Sequence, residues 1–293
     1  MNTFRHLKHS SYPNFNRKVT IIPSYRCNQM CSFCEEYDNK SSDLSLEDFY
    51  TLFDHVDPQH LWAYFYGGEP TLNKHWEEMN HAMGDFIKEG WIQTQSNLSI
   101  NFSRLETFCG EYKSSTPLDI CTSYHLGKQS IDTFVNKALL LQEYGMLGYI
   151  FVSSEIDKEE QFIEEFGLLV HLFPIKVKTR WTETLESTSK ERTYFTTKYP
   201  WLNNYKEQGF NFLVDKQPVS YDDVRTKNLF KEFRLMKCDC GSRGLVLDNN
   251  GNYYYCMHDF KEGFKPLTQP KREDTFCLHK ACSDGLEFTK YTR

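Results

Sequence analysis

No stretch of the 293 residues approaches the run of about 18–20 apolar side chains that spans a bilayer, so a helical membrane protein is excluded. The opening MNTFRHLKHSSYPNFNRK lacks an apolar h-region, so no secretory leader is expected and the chain is read as cytoplasmic. Nor is there an excess of positive charge. Against 34 Lys and Arg stand 40 Asp and Glu, a formal net charge of -6, which argues against a protein built to coat nucleic acid. No internal repeat and no low-complexity tract is found. What is present fits a folded chain: 39% hydrophobic and 25% charged residues exclude disorder as the main state. The length suits one large domain or two ordinary ones, with a core that needs no staples.

Ten cysteines are the informative count. In a reducing compartment they read as metal ligands before disulfides. Cys27, Cys31 and Cys34 form C-x3-C-x2-C in RCNQMCSFC, and Cys238, Cys240, Cys256, Cys277 and Cys282 crowd the last quarter. Cys109 and Cys121 sit in apolar company and read as small core residues. Three thiolates on one short loop can hold three irons of a 4Fe–4S cluster, and a missing fourth ligand leaves one iron open. A structural zinc would need a distant fourth ligand such as His55, and the cluster is the preferred reading.

A second motif lies about one strand–helix unit later. Tyr64-Phe65-Tyr66 runs into Gly67-Gly68-Glu69-Pro70. Glycines at a strand end allow close backbone approach, and Glu69 offers an acceptor to an ammonium group. Gly-Gly alone is usually only a turn.

Taken together, the two motifs resemble those of the radical S-adenosylmethionine (radical SAM) superfamily. That family carries CxxxCxxC after the first strand, with an aromatic residue before the third Cys, where Phe33 stands here, and GGEP after the second strand. The resemblance implies that Cys27, Cys31 and Cys34 bind the cluster and that Phe33 lies against adenine. It implies that Gly67, Gly68 and Glu69 face the methionine amine. Asn97 and Ser123, at the ends of the third and fourth strands, fall where family members contact ribose or carboxylate. His125 follows at the pocket edge, with no acid or base role assigned.

The hydrophobic pattern suits that context. Strands are expected at 19–22, 61–66, 91–96, 118–123, 147–152 and 175–179. Helices are expected at 45–56, capped by Ser45, at 75–88, closed by Gly90, at 102–112, at 130–145 and at 159–169. Leu61–Tyr66 reads as a strand buried on both faces. Alternating strands and helices give an α/β fold with a parallel sheet, matching the partial (β/α)6, TIM-like barrel that the resemblance implies. Both motifs then fall at the carboxyl ends of strands, where such sheets bind ligands. Residues 1–181 form this core. Residues 182–235 are polar and rich in aromatics, read as packing between barrel and tail.

Residues 236–293 read as a small C-terminal domain. Asp248-Asn249-Asn250-Gly251 is a hairpin turn between LVL and YYY. The C-x10-G-x4-C pattern from Cys240 to Cys256 resembles the twitch and SPASM extensions of radical SAM enzymes, and the shorter twitch form fits the cysteines available. The resemblance implies one auxiliary 4Fe–4S cluster on Cys240, Cys256, Cys277 and Cys282, with Cys238 as an alternative to Cys240. A zinc knuckle using His258 or His279 is the competing reading.

The activity implied is reductive cleavage of SAM to a 5′-deoxyadenosyl radical that abstracts hydrogen from substrate. The substrate expected is a peptide or protein. The alternatives are a nucleoside, nucleotide or sugar, or a non-catalytic metal-binding protein. A one-electron donor such as flavodoxin or ferredoxin is the implied partner.

Overall fold

The computed structural model describes residues 17–29, 31, 34, 41–154, 156–174, 176–181, 190–205, 211–214, 217–220, 237–238, 244–256, 266–267, 275–276 and 290–292. Six strands alternate with five helices in order: β1 Arg17–Ser24, α1 Leu46–Thr51, β2 Leu61–Gly67, α2 Trp76–Phe86, β3 Gly90–Ser96, α3 Phe102–Glu111, β4 Leu118–Tyr124, α4 Ile131–Glu143, β5 Leu147–Ser154, α5 Glu159–Leu172 and β6 Val177–Trp181. Local chemistry sets their starts. Ser45 caps α1, its hydroxyl accepting from the Asp48 amide at 3.0 Å, and Ser130 caps α4 through the Thr133 amide. α2 ends at Phe86, short of the expected Lys88. Gly90 does not close it but opens β3, where an added Cβ would lie 2.0 Å from the Leu61 carbonyl oxygen.

β1 to β6 pair in sequence order and in parallel. Right-handed crossovers without a reversal of order put every helix on one face. The sheet curls, does not close, and forms a partial barrel. On the helix side Leu61, Ala63, Phe65, Ile92, Ile120 and Val152 join the main core, all but inaccessible to solvent. On the other face stand Trp62, Tyr64, Gln93 and Gln95, and the tyrosine and both glutamines keep partial exposure. β2 is therefore not buried alike on both sides: its letters are apolar, but its concave face carries rings with polar handles.

α6 Lys190–Lys198 follows β6. Phe195, on α6, and Leu202 enter the main core. The Phe195 ring lies 5.0 Å from Phe162 and the Trp201 ring 5.8 Å from Phe166, so the aromatics here pack against α5. Then come β7 Asn211–Val214, β8 Gln217–Ser220, β9 Lys237–Cys238, β10 Gly244–Leu247, β11 Tyr253–Tyr254, β12 Thr275–Phe276 and β13 Lys290–Thr292. β12-β9-β13-β7-β8 make a second sheet, which joins strands from both sides of position 235.

The expected hairpin forms, but its place is new. β10 pairs in parallel with β1, from Lys18↔Gly244 to Ile21↔Leu247, and β11 returns antiparallel beside it. The hairpin extends the barrel sheet and covers the β1 edge, which would otherwise expose unpaired backbone groups. Asp248 holds its turn, accepting from the amides of Asn250 and Asn252 at 2.9 and 2.8 Å.

The two faces are expected to differ in energetic weight. Phe65→Ala should cost about 3–5 kcal/mol by leaving a cavity, whereas Gln95→Ala should change stability by about 1 kcal/mol or less. Denaturant unfolding of both variants measures the contrast, and equal losses would contradict the assignment of faces.

Candidate active site

The cysteine loop begins where β1 stops. Its neck is tied by six hydrogen bonds. Leu44 N donates to Pro23 O at 2.9 Å. Asn73 Nδ2 donates to both Pro23 O and Leu44 O at 2.9 Å. Arg26 grips Asp43 with two donors, Nε to Oδ1 at 3.0 Å and Nη2 to Oδ2 at 2.5 Å, and reaches Leu72 O at 3.1 Å. Such a forked pair is directional. Being partly exposed it adds little stability, but it fixes where the loop leaves and returns. Inside the loop, Cys34 N donates to Cys31 O at 3.0 Å. Cys31 is buried, while Cys27 and Cys34 are half-buried. Phe33 lies outside the described residues.

Gly67 and Gly68 press against this neck. Gly68 N donates to Ser24 O at 3.0 Å and Glu69 N to Arg26 O at 2.7 Å. A Cβ on Gly68 would sit 2.4 Å from Tyr25 O and 2.5 Å from Arg26 O, and one on Gly67 would sit 2.4 Å from Ser24 O. Gly67 also has φ +134, a backbone state that glycine alone adopts without strain. The close approach that the glycines permit is to the backbone feeding the first cysteine.

Glu69 is fully buried. Its Oε1 accepts from Thr71 N at 3.2 Å, Thr71 Oγ1 at 2.5 Å and Ser96 Oγ at 2.8 Å. Its Oε2 accepts from Asn97 N at 2.7 Å. Burial pushes the carboxyl above its ordinary range, and the hydrogen bonds pull the other way. The carboxylate thus serves as a joint between the GGEP turn and the end of β3. Asn97, held by that joint, turns its Nδ2 toward Cys27 Sγ at 3.7 Å and Asn28 Oδ1 at 3.3 Å.

Ser123, at the end of β4, accepts from Gln95 Nε2 at 2.8 Å. One level lower on the concave face, Cys121 Sγ takes Gln93 Nε2 at 3.0 Å. Burial raises that thiol to about 12, so it stays protonated. Cys121 therefore faces the polar interior, while Cys109 sits in the apolar core as expected. His125 Nδ1 lies 3.3 Å from Ser153 Oγ. Asp119, paired in register with Gln93, is raised from 3.8 to about 6 by burial, with Lys176 opposing.

The donor set fits an iron–sulfur cluster. Three thiols share one fastened loop, and an amide donor faces one of them. Between Cys27 and Cys31, Gln29 is buried, and both its side-chain polar atoms lack a partner among the described residues. A buried amide of that kind is costly unless a bound group satisfies it. Among the described residues no three His, Cys, Asp or Glu side chains converge as one ion requires. A cubane asks for less convergence, because each thiolate binds a different iron. His55 is no candidate for a fourth ligand. Its carbonyl accepts from Arg17 Nη1 at the start of β1, roughly 25 Å of strand from the cysteine loop.

Of the C-terminal cysteines, Cys256 is buried just beyond β11. Cys238 is described only as backbone, in β9 opposite Thr275 and Tyr291. Cys240, Cys277 and Cys282 lie outside the described residues. Arg26 and Gln29 adjoin the cysteines in sequence but belong to no motif, and Asp43 and Asn73 lie at a distance that no local spacing ties to them, so all four escape sequence reasoning.

No protein-family model and no curated protein matches the chain. Solved structures do. The chain is similar to His6-tagged anSMEcpe with bound AdoMet, with TM-score 0.54 and 14% identity over 88% of this chain and 78% of that one. It is similar to native anSMEcpe with bound AdoMet and Kp18Cys peptide, with TM-score 0.52 and 15% identity over 82% and 74%. At such identity the likeness establishes a shared fold. No helix among the described residues is long and apolar enough to cross a membrane.

Two outcomes follow from this geometry. Gly68→Ala is expected to destabilise the chain by about 2 kcal/mol or more, because backbone oxygens cannot give way; thermal unfolding measures it, and an unchanged midpoint would contradict the close approach. Asp119 binds its proton more tightly folded than unfolded, so its ionisation costs stability as pH rises from about 4 through about 6. Asp119→Asn should therefore gain stability over the parent across that window, and parallel pH profiles would contradict the burial.

Proposed function

We propose that this chain is a radical SAM enzyme that modifies a peptide or protein. The observation that carries the reading is the C-x3-C-x2-C loop fixed by the GGEP turn at the carboxyl edge of a partial barrel. Cys27, Cys31 and Cys34 would hold the catalytic 4Fe–4S cluster. When bound, that cluster with its open iron supplies the electron that cleaves S-adenosylmethionine and starts hydrogen abstraction. The chain's own part is to place and shield. Gly67 and Gly68 bring the turn against the loop neck, Glu69 locks the end of β3, and Asn97 faces Cys27. Phe33, before the third cysteine, would lie against adenine. Ser123 and Gln95 line the concave face above Gln93, where a substrate would meet amides and hydroxyls rather than hydrocarbon.

The peptide reading is supported by the fold shared with a structure holding AdoMet and a peptide. A nucleoside, nucleotide or sugar is the second reading, favoured by the polar amides of the concave face. Cys240 or Cys238, with Cys256, Cys277 and Cys282, would hold an auxiliary cluster, and a flavodoxin or ferredoxin would deliver electrons.

Anaerobically reconstituted protein given reductant and S-adenosylmethionine should release 5′-deoxyadenosine, and Cys31→Ala should fall to background. A parent protein that forms none is a metal-binding module, not an enzyme of this kind. Cys256→Ala should lose substrate turnover yet keep uncoupled cofactor cleavage; intact turnover would rule out an auxiliary cluster there.

A further inference from the structure

We infer that Asn97 sets the reduction potential of the cluster by donating a hydrogen bond to Cys27, an inference that rests on the cluster reading above. The amide cannot face the other way. Its Oδ1 accepts from the Ser99 amide at 2.9 Å, which leaves Nδ2 to point at Cys27 Sγ, 3.7 Å away. The second Nδ2 hydrogen goes to Asn28 Oδ1 at 3.3 Å, and that oxygen is itself fixed by Ser99 Oγ at 3.0 Å. The Asn97 main chain is clamped on both sides, its N–H on Glu69 Oε2 at 2.7 Å and its C=O by Gln129 Nε2 at 2.6 Å. Every donor and acceptor of the residue is thereby committed, and one of them is committed to a cysteine sulfur.

The consequence is electrostatic. Uptake of one electron by the cluster makes the thiolate sulfurs more negative, and no bond is made or broken. A donor aimed at such a sulfur stabilises the reduced state more than the oxidised one. The potential rises, and the chain makes the first reduction easier for its electron donor. Asn97 is a positioning residue acting through Cys27, distinct from a contact to ribose or carboxylate.

The test is an EPR-monitored titration with dithionite and mediators on the anaerobically reconstituted full chain, without S-adenosylmethionine. Asn97→Asp keeps an oxygen for the Ser99 amide and loses the donor; Asn97→Ala loses both. The expected result is a midpoint shifted to more negative potential in both variants at equal iron content, with Asp shifted further by its added charge. A purely structural role predicts an Ala variant whose midpoint equals the parent's at equal iron content, with Asp shifted through its charge alone, which would overturn the inference. Midpoints equal to the parent's in both variants would also overturn it, leaving the cluster reading intact. A parent chain that holds no cubane would overturn both.

Discussion

The site depends on two backbones meeting with no side chain between them. The turn after β2 lies against residues 24–26 so closely that a Cβ on Gly68 would overlap two carbonyl oxygens. That contact joins the ends of β1 and β2 beyond their last paired residues. It decides where Cys27 emerges, and Glu69 extends the same joint to β3. Through Asn97 the joint returns to the Cys27 sulfur. A ring of main-chain and side-chain hydrogen bonds thus ties three strand ends to one thiol. Burying a carboxylate within this ring is unfavourable in itself, and it persists because four donors satisfy it.

The sheet separates stability from function by face. Crossover helices cover one side with hydrocarbon, and the side chains there are inaccessible. The concave side keeps amides, hydroxyls and a protonated thiol. The Arg26–Asp43 fork and Asn73 close the neck of the loop, so the chain on either side of the cysteine motif is held at one fixed point. The β10–β11 hairpin protects the β1 edge and brings Cys256 to the same sheet. Asn249 Nδ2 and the Asn250 side chain also bond Ser42, at 2.7 Å each, which links that hairpin to the returning end of the cysteine loop.

Much of this was legible in the sequence. Ser45 and Ser130 announce their helices because a cap is a local interaction. The alternation of strand and helix predicts a parallel sheet because crossover geometry leaves few other choices. The cysteine spacing and GGEP were visible as motifs, but the partners of the Glu69 carboxyl were not. Glu69 read as an acceptor for a ligand amine, and its partners Ser96 and Asn97 lie 27 and 28 residues away. The parallel pairing of residues 18–21 with 244–247 joins segments more than two hundred residues apart, and no period in the sequence encodes it. Trp62 and Tyr64 count as apolar letters, but facing depends on which side the helices take. Gly90 resembled a helix stop because it follows a helix, whereas its reason is the Leu61 carbonyl on the neighbouring strand.

In the proposed function Cys27, Cys31 and Cys34 hold a cubane whose remaining iron takes a sulfonium cofactor. That claim is tested most directly by the EPR spectrum of the anaerobically reduced full chain, recorded before and after adding S-adenosylmethionine. The expected result is a reduced cluster signal whose g values move on addition, because the cofactor would bind the iron itself. A cluster signal indifferent to the cofactor, or a chain that carries zinc alone, would contradict it.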